Sequence, residues 1–395
     1  MSAVVVVGAD CAGVTAARGF LAAGVPAGLK SSGAPDVALV VNEGPGHAAA
    51  AVFTSNRIKA APVQWTEQCA RTGRFAAVVL NSGGANACTG PEGFADTHVT
   101  AEHVAQLLGV APIEVAVCST GLIGQRLPMD RLLSGTDAAA RVLAADGGPD
   151  AARAIMTTDS VPKLASMRSP AGWAVGGMAK GAGMLAPGLA TMLVVLTTDA
   201  VVGAPELDDV LREATRVTFD RIDSDGCMST NDTVLLLASG ASGVSPEAGQ
   251  LQEAVSAVCA SLARQLIADA EGATKDIRID VVGAASEDDA VIAARAVSRS
   301  NLLKCAIHGE DPNWGRILSA VGTTTAVFEP DAIDVSINGV LVCRDGAAHG
   351  ERDDVDMSGR EVILTIDLRS GTAVATLWTN DLTAMYVHEN SAYST

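Results

Sequence analysis

Aromatic side chains are scarce in this chain: two Tyr, four Trp and six Phe make up 3% of its 395 residues. Its core must therefore be filled mainly by Ala, Val and Leu, small pieces that pack at high density. Positive charge is also short, with 27 Lys and Arg against 45 Asp and Glu and a net charge of −18. That balance argues against nucleic-acid binding and against anionic membrane surfaces, both of which draw affinity from Lys and Arg. No uninterrupted apolar run reaches the roughly 18 residues a membrane helix needs, because Pro187 and Gly188 break the longest candidate. No cationic leader with an apolar segment opens the chain. The eight cysteines (11, 69, 88, 118, 227, 259, 305, 343) form no C-x-x-C pair and read as small buried thiols, so a reduced, cytoplasmic setting is expected.

Several chemistries are missing as well. No serine sits in a G-x-S-x-G frame, which removes the nucleophile elbow. No cysteine stands beside a recognisable local base. Six histidines without H-E-x-x-H offer no metal first shell, and His98 and His103, five residues apart, do not share a helix face. The opening V-V-V-V-G-A-D-C-A-G imitates a dinucleotide loop with Gly8 and Gly13 at its outer positions. Asp10, however, replaces the middle glycine, where an anion would meet a negative charge.

What is present is α/β alternation. Val37–Asn42, Ala49–Thr54, Ala76–Leu80, Glu114–Cys118 and Thr233–Ala238 read as strands, and 92–108, 128–144, 149–156 and Pro205–Thr218 as helices. Gly19 to Lys30 reads as a turn-rich approach. Ser245-Pro-Glu is a helix start, with Leu251, Val255, Val258, Leu262 and Leu266 on one buried face down to Gly272, about seven turns. Glu271 lies at the negative end of that dipole, which suggests a local partner or task. From 275 onward come a strand at 277–283, a helix opening at Ser286 with Asp289 three residues on, and strands at 332–337, 361–368 and 373–379. The polar ending 386–395 is too small-residued for a docking helix.

Three polar, glycine-bearing loops carry the candidate chemistry. Asn81–Gly90 follows a strand and either lines a site or merely joins it to a helix. In Ser119-Thr-Gly121, the Thr120 hydroxyl and Gly121 amide can supply two donors to an oxyanion, although an ordinary loop explains them too. In Met178–Asp199, three glycines and Pro187 crowd the stretch before Thr191, which opens the apolar run Met192–Leu196. This reads as a loop entering a core strand, or as a strained connection that presents one hydroxyl. A threonine hydroxyl needs a base. An N-terminal threonine has one in its own α-amine, with a reference pKa near about 7.7–8.0.

In order along the chain, Phe53-Thr-Ser-Asn-Arg-Ile-Lys-Ala-Ala-Pro-Val63, Asn81–Gly90, Ser119-Thr-Gly121, Met156-Thr-Thr-Asp159, Lys180-Gly-Ala-Gly-Met184, Ala190-Thr-Met192, Ser229-Thr-Asn-Asp232 and Asn313-Trp-Gly-Arg316 resemble the hallmark segments of the glutamate N-acetyltransferases, also called ornithine acetyltransferases, of the arginine pathway. Ala182 and Ala186 stand where many relatives carry serine and histidine.

The resemblance implies a layered α-β-β-α-like sandwich with mixed sheets, of the N-terminal-nucleophile type, plus a smaller α/β portion within roughly 275–375. It also implies self-cleavage between Ala190 and Thr191 into an α chain (1–190) and a β chain (191–395), assembled as α2β2. Thr191 would be acetylated by N2-acetylornithine and then hand the acetyl group to glutamate. Thr120 and Gly121 would stabilise the oxyanion, and Thr157, Lys180, Thr191, Glu271, Asn390 and Thr395 would contact substrate. No metal or cofactor is implied, and acetyl-CoA enters only as a second acetyl donor in some members. Two other readings are an N-terminal-nucleophile amidohydrolase or aminopeptidase built on the same Thr191, and a family member serving secondary metabolism. A nucleotide-binding module led by the Gly8–Gly13 loop is a third.

Overall fold

The computed structural model describes residues 5–8, 11–186 and 192–392. Its elements run β1 (Val5–Val7), β2 (Phe20–Val25), β3 (Val37–Asn42), β4 (Ala48–Phe53), α1 (Ala61–Ala70), β5 (Ala77–Asn81), α2 (Gly90–Leu108), β6 (Val115–Ser119), α3 (Met129–Arg141), α4 (Gly148–Ala154), β7 (Lys163–Arg168) and β8 (Ala174–Lys180). They continue with β9 (Leu193–Thr198), α5 (Ala204–Arg216), β10 (Thr233–Ala238), α6 (Gln250–Ala268), β11 (Asp276–Ala284), α7 (Glu287–Ser298), α8 (Asn301–His308) and α9 (Trp314–Val321). The last are β12 (Asp334–Ile337), β13 (Val340–Arg344), β14 (Ala347–Ala348), β15 (Glu361–Asp367), β16 (Ala373–Asn380) and α10 (Ala384–Ala392).

The strands form three mixed sheets, ordered β1-β7-β8-β9-β10-β4, β2-β3-β5-β6 and β14-β13-β12-β15-β11-β16. In the first, β9 and β10 are parallel, with Leu193 opposite Thr233, and the other neighbours are antiparallel. Alternation along these two strands sorts their side chains into two layers. Leu193, Val195, Leu235 and Leu237 join a core shared with the second sheet, while Val194, Leu196, Val234 and Leu236 face α5 and α6. Each such fully buried leucine or valine contributes about 1.5–3 kcal/mol. On the second sheet, α1 closes the edge of β6. The Trp65 indole donates to the Val115 carbonyl at 3.1 Å, and the Thr66 hydroxyl both donates to the Val117 carbonyl and accepts from its amide, so β6 offers no bare edge there.

Glycines in β2 and β8 allow the close packing between layers. A Cβ on Gly24 would stand 2.0 Å from the Asp150 carbonyl oxygen of α4, and one on Gly176 would stand 2.0 Å from the Gly13 carbonyl oxygen. The third sheet has its own core with α7, α8 and α9, including Ile279, Val281, Ala294, Leu364 and Leu377. Ser286 caps α7 by accepting from the Asp289 amide at 3.1 Å, as its spacing foretold.

The structure corrects several sequence expectations. Phe20–Val25 is a strand rather than a turn-rich approach, and β7 and β8 are strands that were not foreseen. The helix expected from Ser245 to Gly272 spans Gln250–Ala268 instead, because Gly249 stands in the left-handed region at φ 83 and the chain leaves the helix at Asp269. The five leucines and valines of its predicted face are nonetheless all buried. The C-terminal stretch is helical from Ala384 to Ala392 and docks on the site described below. Cys88, Cys227 and Cys305 are exposed, and no described cysteine is in a disulfide. The Gly8–Gly13 stretch follows an edge strand paired antiparallel with β7, not a central parallel strand feeding a helix. As expected, His98 and His103 share no ligand cluster among the described residues: His103 meets Asp137 at 2.7 Å, and the His98 ring lies tilted against Trp65. No described helix is long and apolar enough to cross a membrane.

Candidate active site

The first two sheets end together. The end of β8, the starts of β9 and β10 and the end of β4 lie in register on the first sheet, and β5 and β6 end side by side on the second, with Asn81 opposite Ser119. At this shared end is a cavity of about 100 Å³, lined among others by Thr120, Gly121, Thr157, Thr158, Lys180, Ser229, Thr230, Asn231, Glu271 and Asn390. It thus gathers residues from segments more than two hundred positions apart.

Thr120 and Gly121 leave β6 in a conformation that only glycine tolerates. Gly121 has φ 130, and a Cβ there would stand 2.8 Å from the Gly84 nitrogen. Gly84 donates to the Thr120 carbonyl at 3.0 Å, and the Thr120 amide donates to Asn81. Among the described residues no acceptor takes the Gly121 amide. The Thr120 hydroxyl, almost fully buried, accepts from Lys180 Nζ at 3.3 Å, which leaves its own proton for another partner. A neighbouring amide and hydroxyl with protons to give make the pair of donors that an oxyanion requires.

Lys180 is 2% exposed and makes no carboxylate ion pair among the described residues. Burial pulls its ammonium below the ordinary lysine range, helped by Lys163, while Asp159, Asp232 and Glu271 oppose that fall. Behind it lies a buried ion cluster that local spacing did not reveal. Lys163 Nζ donates to Asp159 at 2.6 Å and to Asp269 at 2.6 Å, and Asp159 also accepts from the amides of Gly181 at 2.6 Å and Thr157 at 2.9 Å. Burial alone would raise the Asp159 carboxyl, but Lys180, Lys163 and these hydrogen bonds hold it well below the usual carboxylate range. Asp159 thereby ties the strand bearing Lys180 to the loop bearing Thr157.

Glu271 leaves α6 with its amide on the Ala182 carbonyl at 3.0 Å. Its carboxylate accepts from the Thr158 hydroxyl at 2.7 Å and from Asn390 Nδ2 at 3.0 Å. The neighbouring Thr157 and Thr158 therefore divide their work, one facing Asp159 and the other Glu271. Asn231 joins the two sheets by donating to the carbonyls of Ala85 and Ser119. The Asn81–Gly90 loop turns out to be mainly a connection whose Ala85 reaches the cavity. Ala190, Thr191 and Thr395 lie outside the described residues. Met192 is described, and its amide donates to Asp232 at 3.0 Å. Sequence reasoning gave no role to Asp159, Lys163, Asp232 or Asp269. The first and third close two of the quoted motifs, and for Asp232 an acid directly before a buried strand was the available signal. Among the described residues no His, Cys, Asp and Glu cluster could hold a metal ion.

Stacked mixed sheets with a hydroxyl–amide donor pair facing a buried lysine define an α/β enzyme equipped for acyl transfer. The ArgJ family model matches residues 21–395. An arginine biosynthesis bifunctional protein ArgJ from Streptomyces coelicolor is 66% identical over 381 residues, covering 96% of this chain and 99% of its own. Its counterpart from Mycobacterium tuberculosis is 57% identical over 389 residues, covering 97% of this chain and 96% of its own. A crystal structure of ornithine acetyltransferase complexed with ornithine, also from Mycobacterium tuberculosis, shares 57% identity, covering 49% of this chain and 100% of that chain with a TM-score of 0.46. The chain belongs to the ArgJ family and is an acyltransferase of arginine biosynthesis.

Proposed function

We propose that this protein moves an acetyl group from N2-acetylornithine to glutamate through an acetyl ester on Thr191, after cutting its own chain between Ala190 and Thr191. The observation that carries the reading is the meeting of Thr120, Gly121, Lys180 and Glu271 in one cavity, at the end of the sheet where β9 begins just after Thr191. The Thr191 hydroxyl gives its proton to the new α-amine while its oxygen bonds to the acetyl carbon. The carbonyl oxygen becomes an oxyanion held by the Thr120 hydroxyl and the Gly121 amide. Collapse breaks the C–N bond, and ornithine leaves with the proton from the α-ammonium. Glutamate then attacks the ester, its amine passes a proton to the α-amine, and the hydroxyl is restored.

The remaining contacts fit this substrate. Lys180 pairs with an α-carboxylate and Glu271 with the side-chain ammonium of ornithine, and Thr157, Asn390 and Thr395 complete the pocket. One amide is exchanged for a similar one, so the reaction is close to thermoneutral and calls for neither ATP nor a metal. Acetyl-CoA serves at most as a second acetyl donor to the same threonine. The two fragments assemble as α2β2 in the cytoplasm. Product analysis tests the reading: with N2-acetylornithine and glutamate together, N-acetylglutamate and ornithine form in equal amounts, whereas acetylornithine consumed without acetylglutamate shows a hydrolase. Thr191→Ala abolishes both cleavage and turnover.

A further inference from the structure

A ligand that is anionic at one end and cationic at the other is recognised by the spacing of the groups that meet it. With Lys180 on the α-carboxylate and Glu271 on the side-chain ammonium, the separation of these two residues selects the length of the chain between the charges. They come from distant parts of the sequence, Lys180 at the end of β8 and Glu271 beyond the end of α6. The groups that tie these two segments together lie in the buried ion cluster.

Lys163 opens β7, with its backbone paired opposite Ala179, the residue before Lys180. Its side chain is fully buried and reaches two carboxylates at 2.6 Å each. One is Asp159, which also accepts from the Gly181 amide at 2.6 Å and so grips the residue after Lys180. The other is Asp269, two residues before Glu271, which also accepts from the Ser160 amide at 3.0 Å. One ammonium therefore joins the segment that carries the cation of the site to the segment that carries its anion. α6 does not need this bridge in order to dock, because Gln265 exchanges hydrogen bonds with both the amide and the carbonyl of Leu164 on β7. What Lys163 holds is the stretch after the helix, where the chain has left helical geometry at Asp269. Glu271 is closely confined there, with its amide on the Ala182 carbonyl and with Gly183 so near that a Cβ would stand 2.6 Å from its carboxylate.

We propose that Lys163 is a positioning residue that sets the spacing between Lys180 and Glu271, and thereby makes the three methylenes of an ornithine side chain the length this site accepts. Groups that recognise a ligand keep their precision only when the residues behind them are locked in turn. Apolar packing would hold α6 to β7 without the cost of desolvating ions, whereas an ion pair at 2.6 Å fixes a distance. A side chain one methylene shorter or longer then satisfies one end of the site and misses the other. Lys163 itself touches no substrate, and no proton moves to or from it.

This inference rests on the reading of Lys180 and Glu271 as the substrate's charge partners, and the test separates the two. Lys163→Met removes the bridge. Where its lower stability prevents purification, Asp269→Asn cuts only the arm toward Glu271 and keeps an acceptor for the Ser160 amide. In the wild type, kcat/KM for N2-acetylornithine is expected to exceed that for N2-acetyllysine by roughly 10-fold or more, the scale of one methylene in a fitted site. In either variant this ratio falls toward one, chiefly through a higher KM for N2-acetylornithine. Loss of folded enzyme lowers both rates alike and leaves the ratio unmoved, so a folded variant with the wild-type ratio overturns the proposal. A wild type that handles side chains of two, three and four methylenes equally well overturns it without either variant. Glu271→Gln tests the reading beneath: an unchanged KM for N2-acetylornithine overturns that reading, whereas a raised KM together with a wild-type ratio in the bridge variants overturns the proposal alone.

Discussion

The sandwich and the last third of the chain treat burial in opposite ways. In the sandwich, β3, β5, β9 and β10 are buried at every position, because layers cover both of their faces. In the last third, β11 and β15 alternate buried with partly exposed residues, so each strand has one dry and one wet side. Charge follows the same division. The sandwich encloses Asp159, Lys163, Lys180 and Asp232 around its cavity, whereas the third sheet carries Arg278–Asp280 and Arg369–Asp334 pairs on its open side. Lys275, Lys304 and Asp381 are buried exceptions there; the two lysines donate to backbone carbonyls, and Asp381 accepts from the amides of Thr274 and Lys275. Enclosing charge is expensive. Around the cavity that cost falls on four charged groups packed together.

Mutations can break or sharpen this contrast. Lys163→Met leaves Asp159 and Asp269 facing each other without their shared cation, and is expected to cost about 3–5 kcal/mol in chemical denaturation. Thr120→Ala leaves the fold intact and slows turnover by roughly 10²–10³ with KM little changed; an unchanged rate removes Thr120 from the oxyanion site. Lys180 gives a pH test. Its ammonium is held below the ordinary lysine range by burial, and binding of a carboxylate needs the charged form. KM for N2-acetylornithine is therefore expected to rise on the alkaline side at a lower pH than an exposed lysine would give, and Lys180→Arg, which keeps its charge, should move that limb to higher pH. Arg278→Gln on the third sheet breaks a half-exposed pair and should cost about 0.2–1 kcal/mol. If it costs as much as Lys163→Met, the two regions do not differ energetically.

Legibility in the sequence followed the same division. Strands such as β3, β5 and β10 were readable because a continuous apolar run of five or six residues is what double-sided burial requires. β8 was not, since its Gly176 and Gly177 look like a loop until the layers they admit are known, with Gly177 leaving no room between Leu196 and Leu262. The start of α6 was misplaced because Ser245-Pro-Glu is a good cap in isolation, and nothing local shows that Gly249 reverses the chain. In the site, Thr120, Gly121, Thr157, Lys180, Glu271 and Asn390 were named from the resemblance to a family, four of them inside its hallmark segments, and the structure brings all six to one cavity. The Asp269 arm of the ion cluster was invisible, because Lys163 meets Asp269 across 106 positions and no spacing rule reaches that far. Asp232 was quoted within a motif without a task, since its complete burial appears only once its surroundings are packed.

The most direct test of the central claim, that the chain makes its own nucleophile at Thr191, is the intact mass of the purified protein before and after exposure to N2-acetylornithine. The account predicts two fragments, one ending at Ala190 and one beginning at Thr191, with a single acetyl group added to the second fragment and removed again by glutamate. A single uncut chain that turns over at full rate, or an acetyl group found on the first fragment, would contradict it.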